Sequence, residues 1–180
     1  MAQYHPLVDS YNEALLQAVV DALEETSRPH ELVRLAQGET IDRERLGTTG
    51  HHIVVKQTWW GAMPAKVLAW VQDELGPWID GEGPADRSPL RSVERLTVVT
   101  THGSSRLMNG VQGEPGRQLW RRTVLPLCRP GARFDWISLY KIDRSNEADR
   151  RAFIDRVGRE IRSMLSPGAG DGPTGPVTSA

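Results

Sequence analysis

Three short stretches hold the residues best suited to chemistry, and each lies beside a change of backbone pattern. The first is His5-Pro6-Leu7-Val8-Asp9-Ser10-Tyr11-Asn12, which runs directly into an amphipathic helical pattern. A helix N-terminus presents unpaired N–H groups and a partial positive charge, which suits a phosphate, and Ser10 and Asn12 add side-chain donors. Plain N-capping by Ser10 explains the same residues, with Asp9 as an alternative cap. The second is Thr58-Trp59-Trp60-Gly61-Ala62-Met63-Pro64. Two adjacent indoles beside a glycine offer a flat surface for a planar ring system, with Gly61 letting the chain come close; ordinary packing is the competing use. The third is Thr100-Thr101-His102-Gly103-Ser104-Ser105. Small and hydroxyl residues after a strand leave backbone N–H groups free to face a ligand, and they also make a simple turn.

Other chemistries lack their residues. No P-loop occurs, and no G-x-G-x-x-G follows a strand. His51-His52 would point to opposite faces of a strand, and no His, Cys, Asp and Glu set has metal spacing. There is no G-x-S-x-G elbow. The single cysteine, Cys128, reads as a small buried hydrophobe.

Alternating elements must position the three stretches. Ser10 opens a first helix with Glu13 three residues on, and Leu15, Val19 and Leu23 form its apolar stripe. Residues 31–35 and 52–55 read as strands. A helix over 64–75 follows, with Pro64 in its first turn and Gly76-Pro77 as its stop. Residues 95–100 are a third strand, 115–128 a helix, and 135–140 a fourth strand. A last helix starts near Asn146 and carries Phe153, Val157, Ile161 and Leu165. Strands separated by helices imply an α/β domain over 1–166, with a parallel sheet covered on both faces. Its ligands would sit beyond the carboxyl ends of the strands, where the three stretches fall. Residues 167–180, rich in Gly and Pro, read as a disordered tail.

The chain has 180 residues, with 22 basic against 23 acidic side chains. That balance argues against coating nucleic acid or anionic lipid. One cysteine permits no internal disulfide, no apolar run approaches the ~18 residues a membrane span needs, and the N-terminus lacks a secretory pattern. A cytoplasmic location is expected.

The segments HPLVDSYNEAL, TWWGAMPAKVLAW, and VVTTHGSS with the following QGEPGRQLWRRTVLPLC resemble, in this order, the flavodoxin-like NAD(P)H dehydrogenase (quinone) family. The resemblance implies a flavin, FMN or FAD, with its phosphate by Ser10, Tyr11 and Asn12 and with His5 nearby. It places the isoalloxazine ring on Thr58, Trp59, Trp60, Gly61 and Met63, and on Thr100, Thr101, His102 and Gly103. It implies a hydride from NADH or NADPH, a quinone or similar small acceptor, and a homodimer. Some relatives are instead ancillary subunits of potassium-efflux antiporters, so a non-catalytic regulatory domain is the alternative.

The chain departs from the family at several points. Relatives begin with an apolar strand, central in the sheet order 2-1-3-4-5, where here only Met1-Ala2-Gln3-Tyr4 precede His5. The first strand is therefore expected to be missing or truncated, with the true start upstream or the chain a decayed copy. The span between Leu35 and His52 leaves little room for a second helix. Gln57 replaces a common proline, Ala62 a common glycine, and Leu68-Ala69 a common lysine-glycine. The His and Tyr of some relatives have no counterpart from Leu107 to Pro115.

Overall fold

The computed structural model describes residues 2–4 (backbone only), 10–41, 43–58 and 63–166. The chain opens with β1 (Ala2–Tyr4) and α1 (Tyr11–Glu25). Next come β2 (Val33–Arg34), α2 (Arg43–Leu46), β3 (His51–Gln57) and α3 (Ala65–Ile79). The second half runs β4 (Arg95–Thr101), α4 (Arg106–Val111), α5 (Pro115–Gln118), β5 (Arg133–Leu139) and α6 (Glu147–Leu165). The five strands among the described residues are all parallel, in the order β2-β1-β3-β4-β5.

The first strand is short, three residues, which agrees with the expected truncation and not with its absence. Its three residues bridge the gap: Ala2 and Gln3 pair with Val33 and Arg34 on one side, and Ala2 to Tyr4 pair with Val54 to Lys56 on the other. Backbone pairing needs no particular side chain, so an untypical sequence can still complete the ladder. The β2 strand is also shorter than residues 31–35 suggest. From Leu35 the chain turns into a 3-10 segment, Leu35–Gln37, closed by Gly38 at φ 83°.

Both sheet faces are covered. Helix α3 and the helical run from α5 to Leu127 bury Val67, Val71, Trp120 and Val124 with Val54 and Val98 of the sheet. On the other face α1 and α6 bury Leu15, Val19, Phe153 and Val157 against Ile53, Val55, Val99 and Ile137. Burying one such side chain contributes about 1.5–3 kcal/mol, so the two clusters hold the layers together. Cys128 lies in the first cluster and is 1 % exposed, with burial pushing its thiol up to about 12. No helix among the described residues is long and apolar enough to cross a membrane.

Two helices end differently from the sequence expectation. Helix α3 does not stop at Gly76-Pro77 but continues to Ile79. Pro77 has no N–H for the Asp73 carbonyl. The Arg43 guanidinium donates to that carbonyl instead, at 2.7 Å, while also pairing with Glu74 at 2.8 Å. The helix over 115–128 is three pieces: α5, a π-helical segment Leu119–Val124, and a 3-10 turn Leu125–Leu127. Pro126, lacking a donor, prevents a regular α-helical ending.

Candidate functional site

A cleft of about 250 Å³ opens at the carboxyl ends of the strands, lined by Ser10, Tyr11, Asn12, Gln57, Thr58, Thr101, Gly103, Ile142 and Asp143. Its position follows from the backbone. Ser10 caps α1, its hydroxyl oxygen accepting from the Glu13 N–H at 3.2 Å, so its own O–H remains free to donate. Thr58 continues the ladder, donating its N–H to the Thr101 carbonyl at 2.9 Å. His102 is locked between strand ends: its N–H donates to Leu139 O at 2.8 Å, and its carbonyl accepts from the Ile142 N–H at 3.0 Å. That second bond brings the 3-10 turn Ile142–Arg144, and with it Asp143, over the glycine.

The floor is polar and only partly satisfied. The Asn12 Nδ2 group donates to Gln57 Oε1 at 2.7 Å. That bond leaves Asn12 Oδ1 and Gln57 Nε2 buried with no partner among the described residues, one acceptor and one donor. Leaving such a group unpaired costs about 1–3 kcal/mol, and a ligand bearing hydroxyls or a phosphate supplies the missing partners. At Gly103 an added Cβ would lie 2.5 Å from Asp143 Oδ2, so absence of a side chain there shapes the cleft.

Six of the residues singled out in the sequence line this cleft: Ser10, Tyr11, Asn12, Thr58, Thr101 and Gly103. The Tyr11 hydroxyl is committed elsewhere. It donates to Arg150 O at 2.8 Å, and burial, opposed by Arg150, raises its pKa to about 12. Three others sit behind the cleft. Thr100 is fully buried, with Oγ1 3.3 Å from Lys56 Nζ. Met63 is half-buried against the α3-side core. His102 is 6 % exposed and stacks on Tyr140, with ring centroids 4.7 Å apart at 12°. Burial first, then Lys56, lowers the His102 pKa to about 4 against upward pulls from Asn109 and Glu114. The Asn109 side chain approaches the ring, but no partner among the described residues meets hydrogen-bond geometry at either nitrogen. A neutral imidazole held this way is a weak base at pH 7. His5, Trp59, Trp60 and Gly61 lie outside the described residues, as do residues 167–180.

Three residues that line the cleft and one buried behind it carry no sequence signal of the usual kind. Gln57 gains its role only through Asn12, which is 45 positions away. Ile142 and Asp143 arrive from a loop after β5. Lys56 is the fourth. It is 0 % exposed in a strand otherwise apolar at its centre, and burial lowers its pKa to about 7. A lysine ending a Val-Val run was the available clue. Among the described residues no group of His, Cys, Asp and Glu is arranged to hold a metal.

No family model matches the sequence, and no curated protein matches it either. Solved structures do match in shape. The Smu.1420 protein of Streptococcus mutans superposes with a TM-score of 0.70 at 16 % identity, over 89 % of this chain and 96 % of that one. An NAD(P)H:quinone oxidoreductase from Methanothermobacter marburgensis gives 0.69 at 17 %, over 91 % and 93 %. An FMN-dependent NADH-azoreductase from Bacillus anthracis, in complex with FMN, gives 0.65 at 10 %, over 92 % and 97 %. With the strand order β2-β1-β3-β4-β5 and helices on both faces, the chain has the flavodoxin-like fold.

Proposed function

We propose that the chain is a flavin-dependent NAD(P)H oxidoreductase that reduces quinones or similar small electron acceptors. One observation carries this reading: four segments distant in sequence converge on one cleft whose buried Asn12 Oδ1 and Gln57 Nε2 have no partner among the described residues. The similarity in shape to a quinone oxidoreductase and to an FMN-bound azoreductase supports it. The residues present fit the tail of a flavin. The Ser10 hydroxyl and the α1 N-terminus suit the phosphate. The Asn12–Gln57 pair and the Asp143 carboxylate suit ribityl hydroxyls, which both donate and accept. Asp143 repels a phosphate, which assigns the anion to the Ser10 end.

A bound flavin would supply the redox chemistry, taking a hydride from NADH or NADPH and passing two electrons to the acceptor. The protein's part is to bind, orient and exclude water. Thr58 and Gly103 present the two strand-end loops, and bonds from the 102 backbone to Leu139 and Ile142 hold the second loop rigid. No side-chain acid or base is required, which agrees with a buried, neutral His102.

The second reading is a flavodoxin-like domain without cofactor or catalysis, acting as a regulatory partner. Asp143 favours it, because a carboxylate in the cleft disfavours any anionic ligand that reaches it. The visible spectrum of the purified chain, after incubation with FMN and FAD and removal of the excess, decides between them. A retained flavin band, bleached by NADH or NADPH and restored by a quinone, is the expected result. A protein that retains neither flavin is not this enzyme.

A further inference from the structure

Lys56 is the one fully buried ammonium-bearing side chain among the described residues, and the cleft described above makes no direct use of it. It leaves β3 on the face covered by α3 and α5, the same face as Val54. Its Nζ lies 3.3 Å from Thr100 Oγ1, 3.5 Å from Thr58 Oγ1 and 5.4 Å from the centre of the Trp136 ring. A Cβ at Gly116 would come within 3.8 Å of it, so α5 closes the chamber from above. No carboxylate among the described residues pairs with it. Burying such a charge costs several kcal/mol unless it is neutralised or matched by an anion.

The position is specific. Thr58 lines the cleft, and its Oγ1 also lies 3.2 Å from Thr100 Oγ1. One threonine side chain thus separates the lysine nitrogen from the ligand space. The other titratable groups around it are His102 after β4, Tyr140 after β5, and Glu114 with Arg117 at the start of α5. Glu114 is occupied by the Tyr140 hydroxyl at 3.2 Å and by Arg117 at 3.0 Å, so it is not a counter-ion for the amine.

We propose that Lys56 balances the negative charge that a bound flavin acquires on reduction, acting through Thr58 and the low-dielectric chamber behind the cleft. This inference rests on the flavin reading given above. The balance is simple: a hydride from NAD(P)H leaves the nicotinamide oxidised and the flavin with one added negative charge, and the Lys56 amine takes one proton from solvent. Before reduction, burial leaves the amine about half neutral at pH 7 and mostly neutral above it. The charge that is costly in the empty chamber then becomes favourable, because its counter-charge has arrived. Lys56 touches no reacting atom in this scheme and serves as a charge-positioning residue.

The test uses the full chain and its Lys56→Met variant, each loaded with FMN, with midpoint potentials read from pH 6 to pH 9. The expected result is a variant that retains FMN but loses at least tenfold of its preference for the reduced form, which is about 30 mV for a two-electron couple. In the wild type the potential also falls by an extra ~30 mV per pH unit above pH ~7, one proton per two electrons. Coincident potentials with no extra slope overturn the role of Lys56 and leave the flavin reading standing. A wild type that retains no flavin overturns both. If the variant does not fold, the wild-type slope alone decides. The flavin-free protein gives an independent readout. The folded pKa lies below the unfolded value of 10.5, so the ratio of wild-type to Lys56→Met folding constants rises about tenfold per unit from pH 7 to pH 10. A flat ratio overturns the buried neutral amine and the proposal with it.

Discussion

Gly103 shows how much the cleft depends on single atoms. A Cβ there meets Asp143 Oδ2 at 2.5 Å, but that oxygen ends a side chain that can swing away. Gly103→Ala should therefore leave global stability within about 1 kcal/mol, while pushing the carboxylate across the ligand space. Retained flavin per chain after gel filtration should drop several-fold while the urea midpoint hardly moves. Parallel loss of both would mean that Gly103 serves the fold rather than the site. The Asn12–Gln57 pair makes a complementary case. Asn12→Leu removes the bond and one orphaned acceptor while leaving Gln57 unpaired, so flavin affinity should weaken by roughly tenfold, one hydrogen bond's worth. Unchanged affinity by fluorescence titration would remove the pair from the binding site.

At the scale of elements, the join between α2 and α3 carries a prediction of its own. Arg43 substitutes for the donor that Pro77 lacks. Arg43→Ala should cost about 1 kcal/mol in urea unfolding, and much of that should return in Arg43→Ala with Pro77→Ala, where residue 77 regains an N–H. Additive effects of the two changes would show that the two residues act independently. This join also marks the limit of what the sequence discloses. Helix starts were legible because the signals are local: Ser10 with Glu13, and Asn146, which in the structure forms both arms of a capping box with Asp149. The strands at 51–57 and 95–101 were legible because both faces are buried and the residues are β-branched. The end of α3 was not, since a proline stops a helix unless a distant guanidinium takes the freed carbonyl. Asp143 and Lys56 escaped for the same reason, because burial and proximity are set by elements far away in sequence. Ser10, Thr58 and Gly103 line the cleft because they sit at the carboxyl ends of the strands, a position that the order of elements in the sequence gives directly.

The whole molecule should respond to acid in a defined direction. Burial, chiefly, lowers the pKa of His51 to about 4, of His52 to about 3 and of His102 to about 4, against an ordinary 6.5. Each binds fewer protons folded than unfolded, so their contribution is complete above pH 6.5 and lost as pH falls toward the folded values. The slope reaches about 1.4 kcal/mol per pH unit for each fully buried ring. His52, stacked on Trp70 at 5.8 Å with neither nitrogen hydrogen-bonded among the described residues, can be replaced by a ring that does not titrate. His52→Phe should flatten the fall in urea midpoint between pH 6.5 and pH 5, and an unchanged fall would assign the acid sensitivity to other groups. A different asymmetry lies in the sheet. Strands β3, β4 and β5 share seven-residue ladders, whereas β2 and β1 are joined through two paired positions. Local opening costs least where the fewest bonds must break together. Amide protons of 2–4 and 33–34 should therefore exchange with deuterium well before those of 96–100. Because Arg34 of β2 pairs at 2.7 Å with Glu13 in the first turn of α1, beside the Ser10 cap, a ligand seated in the cleft should slow exchange there most, making the fraying edge of the sheet a reporter of occupancy.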